Sequence, residues 1–202
     1  YLVGWDFPLN PYQVQGTASN GPNASGANTA NYVADQTILF QTVTSGFTTI
    51  PVSTGAFHGL KITASSTSSF GLIQYITGPQ VMEILSQKLS VQIKCQKTGA
   101  NLLGRVGLFY TPNTVPTLTL SVFTSITATV PALTSQWVEF PSLATGQKFT
   151  VTTTSGSTPF SFNGFDATAV AAVVAGTPAS FAIGITFDTM TAGDALTINY
   201  CS

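Results

Sequence analysis

Charged side chains are scarce in this sequence. Asp, Glu, Lys and Arg make up 6% of the 202 residues, and the formal net charge is −1, whereas an average soluble domain has about 25% charged residues. The six basic residues are scattered and cannot neutralise a series of phosphates, so we expect no nucleic-acid partner. No apolar run approaches the roughly 18 residues that a spanning helix needs, so we expect no membrane insertion.

Residues suited to catalysis or metal binding are also few. The single histidine, His58, has no second histidine or Cys–His–Asp cluster with which to bind zinc or to activate a serine. The seven acids could supply a pair for glycoside hydrolysis, although each also fits a cap, a turn or an edge charge. Asp188 and Asp194 flank a turn and form a calcium candidate, with turn hydrogen bonds as the alternative. We otherwise expect no metal, no cofactor and no enzymatic activity.

Two cysteines are present, Cys95 and Cys201, and each lies in an alternating apolar pattern. They could form one disulfide, or each could be a buried free thiol. The sequence leaves both alternatives open.

Uncharged polar residues take the place of the missing charges. Serine and threonine make up about a quarter of the chain, so hydroxyl and amide groups must keep the surface soluble. Such a surface lacks long-range electrostatic steering, and we expect it to bind through shape, hydrogen bonds and aromatic stacking. Sugars and protein assemblies are commonly recognised in this way.

The first residues differ from the rest of the chain. Residues 1–31 begin with alternating apolar side chains that include Trp5, Phe7 and Tyr12, and continue into a polar run rich in Gly, Ala and Asn. This pattern predicts an extended N-terminal arm that lies along a groove or a sheet edge, and these three aromatics are its candidate assembly contacts. Residues 32–202 are predicted to form the folded domain.

Short β-like runs, broken by Gly, Pro, Asn and Ser, follow one another from residue 32 onward. One run places Leu89, Val91, Ile93 and Cys95 on one face and Ser90, Gln92, Lys94 and Gln96 on the other. The pattern predicts a single all-β domain, an antiparallel jelly-roll-like β-sandwich. The predicted strands cover residues 33–43, 46–52, 57–64, 70–77, 89–97, 104–110, 118–130, 136–141, 149–154, 179–187 and 195–201.

At most one or two short helices are expected. Residues 79–87 carry apolar side chains at a helical spacing, which predicts one short helix. Residues 166–175 are rich in alanine but also in valine, so both helix and strand stay open for that segment.

Aromatic residues are the most informative group that is present. The chain has fourteen Phe, six Tyr and two Trp, and Tyr and Trp can stack on a sugar ring while their polar tips donate hydrogen bonds. The candidate glycan-binding residues are Tyr32, Tyr75, Tyr110 and Trp137. Each of them could instead fill a core or an interface.

Several motifs occur in an order that resembles a known group of proteins. They include the opening VGWDFPLNPYQ at 3–13, YVAD at 32–35, GLIQYI at 71–76, WVEF at 137–140 and FAIGITF at 181–187. The order resembles β-sandwich domains of bacteriophage tail fibres and other virion structural proteins, which are similar in fold to carbohydrate-binding modules. The resemblance implies a virion-surface, extracellular protein, commonly a trimer, that contacts host surface glycans or decorates the particle.

The leading hypothesis is therefore a phage virion module that assembles with itself and with other virion proteins and contacts host glycans. A purely structural capsid-decorating or fibre-forming protein without a sugar ligand is the second hypothesis. A glycan-cleaving enzyme is the third.

Overall fold

The computed structural model describes residues 29–34, 37–43, 46–54, 57–76, 88–111, 122–139, 147–153, 160–166 and 180–201. Within these ranges the regular secondary structure is entirely β, with no helix long and apolar enough to cross a membrane. The strands are β1 (Thr29–Ala34), β2 (Thr37–Gln41), β3 (Phe47–Thr54), β4 (Phe57–Ala64), β5 (Ser68–Ile76), β6 (Lys88–Lys97), β7 (Leu102–Tyr110), β8 (Phe123–Thr127), β9 (Val130–Leu133), β10 (Val138–Glu139), β11 (Lys148–Val151), β12 (Phe160–Asp166), β13 (Phe181–Met190) and β14 (Ala195–Cys201).

The strands form two antiparallel sheets and one separate hairpin. The seven-stranded sheet has the order β1-β2-β5-β13-β7-β10, and β11 also pairs with β7. The five-stranded sheet has the order β12-β6-β14-β4-β3, and β8 pairs with β9 in the hairpin. Every pairing is antiparallel. The prediction of an all-β, antiparallel, jelly-roll-like sandwich is confirmed.

The main hydrophobic core lies between the two sheets. Alternation in β6 turns Val91, Ile93 and Cys95 inward, where all three are buried. From the other sheet, Phe187 stacks on Phe70 with ring centroids 4.8 Å apart. Burial of this apolar surface is the main source of stability for the sandwich.

The Cys95 thiol is free and fully buried in this core. The backbone register sets Cys95 opposite Ile198 and Cys201 opposite Ile93. Desolvation raises the pKa of the Cys95 thiol to about 12. The sequence left open a disulfide or a buried free thiol, and Cys95 is a buried free thiol.

A second, smaller core covers the outer face of the seven-stranded sheet. The β8–β9 hairpin sets Phe123 and Ile126 against this face, where they pack with buried side chains of β2, β5, β7 and β13. Glycine makes room for them, since a Cβ built on Gly71 would lie 2.9 Å from the Phe123 ring and one on Gly184 would lie 2.8 Å from it. Larger residues at these two positions would lift the hairpin off the sheet.

The hairpin turns through Ala128 and Thr129, which have φ angles of 46° and 72°. Two-residue hairpin loops favour such positive φ values, but a β-branched residue rarely adopts them. The Thr129 carbonyl accepts a 2.5 Å hydrogen bond from the Oγ1 of Thr186 on β13. This bond ties the tip of the hairpin to the sheet beneath it.

Several predicted boundaries were wrong. Residues 33–43 form two strands, β1 and β2, and residues 118–130 contain the whole of β8, its turn and the start of β9. Strand β12 was not predicted. Strand β1 begins at Thr29, so the last three residues of the predicted arm belong to this strand. The predicted helix at 79–87, the ambiguous residues 167–175 and the arm contacts Trp5, Phe7 and Tyr12 lie outside the described residues.

Candidate binding face

The outer face of the five-stranded sheet is open and polar. On β6 the side chains that alternate with the core residues are Ser90, Gln92, Lys94 and Gln96. Ser90, Gln92 and Gln96 are exposed, and Lys94 is half-buried. The polar side chains of the alternating pattern predicted for this strand therefore face solvent.

Strand register extends this face across the sheet. Gln96 lies opposite Thr197 of β14, Thr197 lies opposite Lys61 of β4, and Lys61 lies opposite Ile50 of β3. Neighbouring strands are about 4.8 Å apart, so this row spans roughly 14 Å. Its three members on β14, β4 and β3 are half-buried, as expected for side chains standing side by side on a sheet. We call the surface formed by β6, β14, β4 and β3 the open face.

Further polar side chains extend the open face beyond this row. Thr63 of β4 lies opposite Thr48 of β3. Both are half-buried. Hydroxyl, amide and ammonium groups together offer both hydrogen-bond donors and acceptors over a surface held rigid by the sheet.

Two of the described lysines lie on the open face. Lys61 and Lys94 lie on it, whereas the described acidic side chains Glu139 and Asp188 lie on β10 and β13 of the other sheet. The third described acid, Asp194, precedes β14 and pairs with the buried Lys97. A further acid, Asp166 of β12, lies opposite Lys88 of β6 at the edge of the same sheet.

The outer face of the seven-stranded sheet contrasts with it, because the hairpin covers that face. Tyr75 and Trp137, two of the predicted glycan-binding residues, meet there with ring centroids 5.6 Å apart. Trp137 is only 3% exposed and packs in the second core, whereas Tyr75 is half-buried. The sequence separates these residues by 62 positions, and the structure makes them neighbours.

The other two aromatic candidates lie elsewhere. Tyr110 points into the main core, where it is 6% exposed and lies near Phe181, and Tyr32 pairs with Ile38 through its backbone in β1. Tyr110 and Trp137 fill cores, so neither ring is open to a sugar in this structure. Glycan contact by Tyr32 and Tyr75 stays a prediction.

The calcium candidate Asp194 forms an ion pair. The ammonium of Lys97 donates to Asp194 Oδ2 at 2.5 Å and to the carbonyls of Thr98 at 2.8 Å and Ala100 at 2.7 Å. The Oδ1 of Asp188 accepts a hydrogen bond from the Thr189 amide. In the described part of the chain, no three His, Cys, Asp or Glu side chains group as a metal site would require. Calcium binding by this pair stays a prediction.

A second ion pair joins β7 to the short strand β10. The Nη2 of Arg105 donates to Oε1 of Glu139, and the Arg105 side chain is 2% exposed. Burial raises the pKa of Glu139, and the charge and hydrogen bond of Arg105 offset part of that effect. Sequence reasoning missed this pair because the two residues are 34 positions apart and only strand pairing brings them together.

No family model and no curated protein matches the sequence. Among solved structures, the chain is similar to TmCBM61 in complex with beta-1,4-galactotriose, with a TM-score of 0.44 and 11% identity over 82% of this chain and 87% of that one. It is also similar to a family 12 xyloglucanase from Bacillus licheniformis in complex with ligand, with a TM-score of 0.40 and 10% identity over 90% of this chain and 98% of that one. At this level of similarity, neither structure assigns an activity to this chain.

Proposed function

We propose that the chain is a virion-surface module of the phage tail-fibre or particle-surface type, which assembles with itself and other virion proteins and contacts host glycans. It acts by binding and not by catalysis. The observation that carries the glycan part is the open face, a sheet surface of hydroxyl, amide and ammonium groups on which Ser90, Gln92 and Gln96 are exposed. The virion part is supported by the order of the sequence motifs.

Glycan binding suits the chemistry of the open face. Sugar hydroxyls both donate and accept hydrogen bonds, and so do the amide of Gln96 and the hydroxyl of Thr197, which stand side by side. A rigid sheet loses little conformational entropy when it binds, because its backbone is already ordered. Water-bridged contacts complete such an interface without long-range charge.

A glycan array probed with the purified chain tests the proposal, followed by affinity measurements on two double variants. Gln96→Ala with Thr197→Ala removes the centre of the open face. Gln147→Ala with Thr150→Ala makes the same change at β11, on the other sheet. Two lost hydrogen bonds should weaken glycan binding about tenfold.

The control pair should leave the affinity unchanged. If no glycan on the array binds, or if both double variants bind as tightly as the unaltered chain, the glycan part of the proposal is wrong.

A purely structural role is the second candidate, favoured by exposed apolar side chains on the seven-stranded sheet and its hairpin. Leu103 of β7, Val130 of the hairpin and Val138 of β10 are 36%, 53% and 38% exposed. Exposed apolar residues of this size are suited to contacts between copies. Light scattering on the chain and on Leu103→Ser with Val130→Ser measures this, and a stable oligomer that binds no glycan supports the structural role.

A further inference from the structure

The turn formed by residues 134–137 joins β9 to β10 and is fixed by two backbone hydrogen bonds. The Thr134 amide donates to the carbonyl of Val122 at 3.0 Å, and the Trp137 amide donates to the carbonyl of Thr134 at 3.0 Å. Trp137 is 3% exposed in the second core, and its ring centroid lies 5.6 Å from that of Tyr75. The backbone of this turn is therefore ordered before any ligand binds.

Three side-chain polar atoms of this turn are buried and have no hydrogen-bond partner in the part of the chain that the structure describes. They are Oγ1 of Thr134, Oε1 of Gln136 and Nε1 of Trp137. Buried polar atoms are nearly always hydrogen-bonded, because burial without a partner costs stability. Three of them within one short turn indicate a place that binds a polar group from outside the chain.

The hydrogen-bonding needs of these atoms define the ligand. The Trp137 indole can only donate, Oε1 of Gln136 can only accept, and the hydroxyl of Thr134 can do both. An anion would accept from the indole but would donate nothing to Gln136, and a cation would have the opposite shortcoming. A hydroxyl group both donates and accepts, and a sugar carries several hydroxyls on adjacent carbons.

We infer that this turn and the ring of Tyr75 form a second sugar site, which binds one neutral sugar residue. We call it the turn site, and its members are Tyr75, Thr134, Gln136 and Trp137. The inference rests on the proposed function, because it adds a glycan site to the same module. It lies beside the seven-stranded sheet, whereas the open face belongs to the five-stranded sheet.

The surroundings of the turn site leave a route for a sugar. Thr134 and Gln136 are half-buried residues, and Ser135 between them is exposed. Surface side chains change rotamer in picoseconds to nanoseconds, so rotation of Gln136 admits a hydroxyl to the buried atoms. Tyr75 is half-buried and offers an aromatic surface to the sugar ring. The indole ring of Trp137 stays in the core, and only its N–H takes part.

The test uses substitutions that keep the shape of a side chain and remove its hydrogen-bonding atoms. Thr134→Val with Gln136→Met, the turn variant, removes two of the three polar atoms. Gln147→Met with Thr150→Val, the β11 variant, makes the same two changes elsewhere on the seven-stranded sheet.

Tryptophan fluorescence reports binding directly at the turn site. The chain has two tryptophans, so a Trp5→Phe background leaves the emission of Trp137 alone. Galactose, glucose, mannose and xylose are titrated separately into the background chain and both variants. A methyl glucoside with every hydroxyl methylated is the control, because its oxygens accept hydrogen bonds and donate none.

At least one of the four sugars should change the Trp137 emission, with a Kd on the order of 1 mM, as a few hydrogen bonds and one ring contact would give. The turn variant should bind that sugar about tenfold more weakly. Its stability in denaturant should be unchanged or higher, because apolar groups of the same shape need no partner. The β11 variant should bind like the background chain.

The inference is wrong if none of the four sugars binds, if the turn variant and the β11 variant bind equally, or if the methylated glucoside binds as tightly as glucose. If the turn variant does not fold, Gln136→Met alone gives the same comparison at a half-buried position.

The two glycan sites are separated by the array measurement. Binding that is lost in Gln96→Ala with Thr197→Ala and kept in the turn variant would remove the turn site and leave the proposed function in place. If no glycan binds the unaltered chain at all, both the inference and the glycan part of the proposed function fail.

Discussion

Lys97 and Asp194 form an ion pair in which the lysine side chain is 2% exposed and the aspartate side chain 19% exposed. The pair joins the end of β6 to the start of β14, and two backbone carbonyls accept the remaining protons of the ammonium. Every N–H of the buried lysine therefore has an acceptor. The pair holds together the ends of two central strands of the five-stranded sheet.

Replacing Asp194 with Ala should destabilise the fold by about 3 kcal/mol, because a buried ammonium loses its counter-charge. Chemical denaturation measures the change in the free energy of unfolding. The matched control is Asp188→Ala, which removes a carboxylate whose hydrogen bond is to the adjacent Thr189 amide and should cost about 1 kcal/mol. Equal costs for the two variants would show that the ion pair adds nothing to stability.

Gly184→Ala should destabilise the second core by about 2 kcal/mol through overpacking. A Cβ at this position would lie 2.7 Å from the Phe109 ring and 2.8 Å from the Phe123 ring. A double-mutant cycle with Phe123→Leu provides the control, since a smaller side chain there should reduce the cost of the added methyl group. If the two substitutions change the free energy of unfolding additively, the Phe123 ring does not limit the space at Gly184.

Glu139 should make stability depend on pH in an unusual direction. Its pKa is raised in the folded state, so between the ordinary value near 4.3 and the raised value the folded chain keeps a proton that the unfolded chain has lost. The stability of the unaltered chain relative to Glu139→Gln should thus increase as the pH is lowered from 7, and level off below about 4. Denaturation of both proteins over this pH range measures the difference.

The glutamine variant lacks the titrating group, so contributions from other acids cancel in the comparison. A relative stability that falls on acidification would show that attraction by Arg105 outweighs burial at Glu139.

Cys95 should resist thiol reagents while the protein is folded. With its pKa raised to about 12 by burial, almost none of the thiol is ionised at pH 8, and the thiolate is the reactive form. In a Cys201→Ser variant, a chromogenic disulfide reagent should label Cys95 only after denaturant is added. Rapid stoichiometric labelling without denaturant would contradict the buried, free thiol.

Strands with strict alternation were predictable from sequence, but tight turns without glycine were not. Strands β4 and β14 have the predicted bounds of 57–64 and 195–201, because apolar and polar residues alternate there and turn residues flank them. The hairpin turn at Ala128 and Thr129 contains no Gly, Asn or Asp to indicate positive φ, so 118–130 was predicted as one strand.

The candidate site was only partly predictable for a related reason. Alternation in β6 separates Gln92, Lys94 and Gln96 from the core, and that part of the open face follows from sequence alone. The positions of Lys61 and Thr197 beside them depend on strand register between distant segments, which no local pattern encodes. The same limit applies to Trp137, whose burial depends on contacts from several strands.

The β8–β9 hairpin makes the two outer faces of the sandwich different, because it covers the outer face of the seven-stranded sheet. Copies that associate through the covered side, where Leu103 and Val130 are exposed, would all present their five-stranded sheets outward. Under the proposed function, each outward sheet would bind a glycan weakly by itself, and several sheets held at fixed separation on one particle would bind a glycan of repeated units with a much higher effective concentration. In that arrangement, the strength of attachment would depend on how many copies bind at the same time. Single copies could detach and bind again one after another, which would let a particle move along a glycan surface before it attaches firmly.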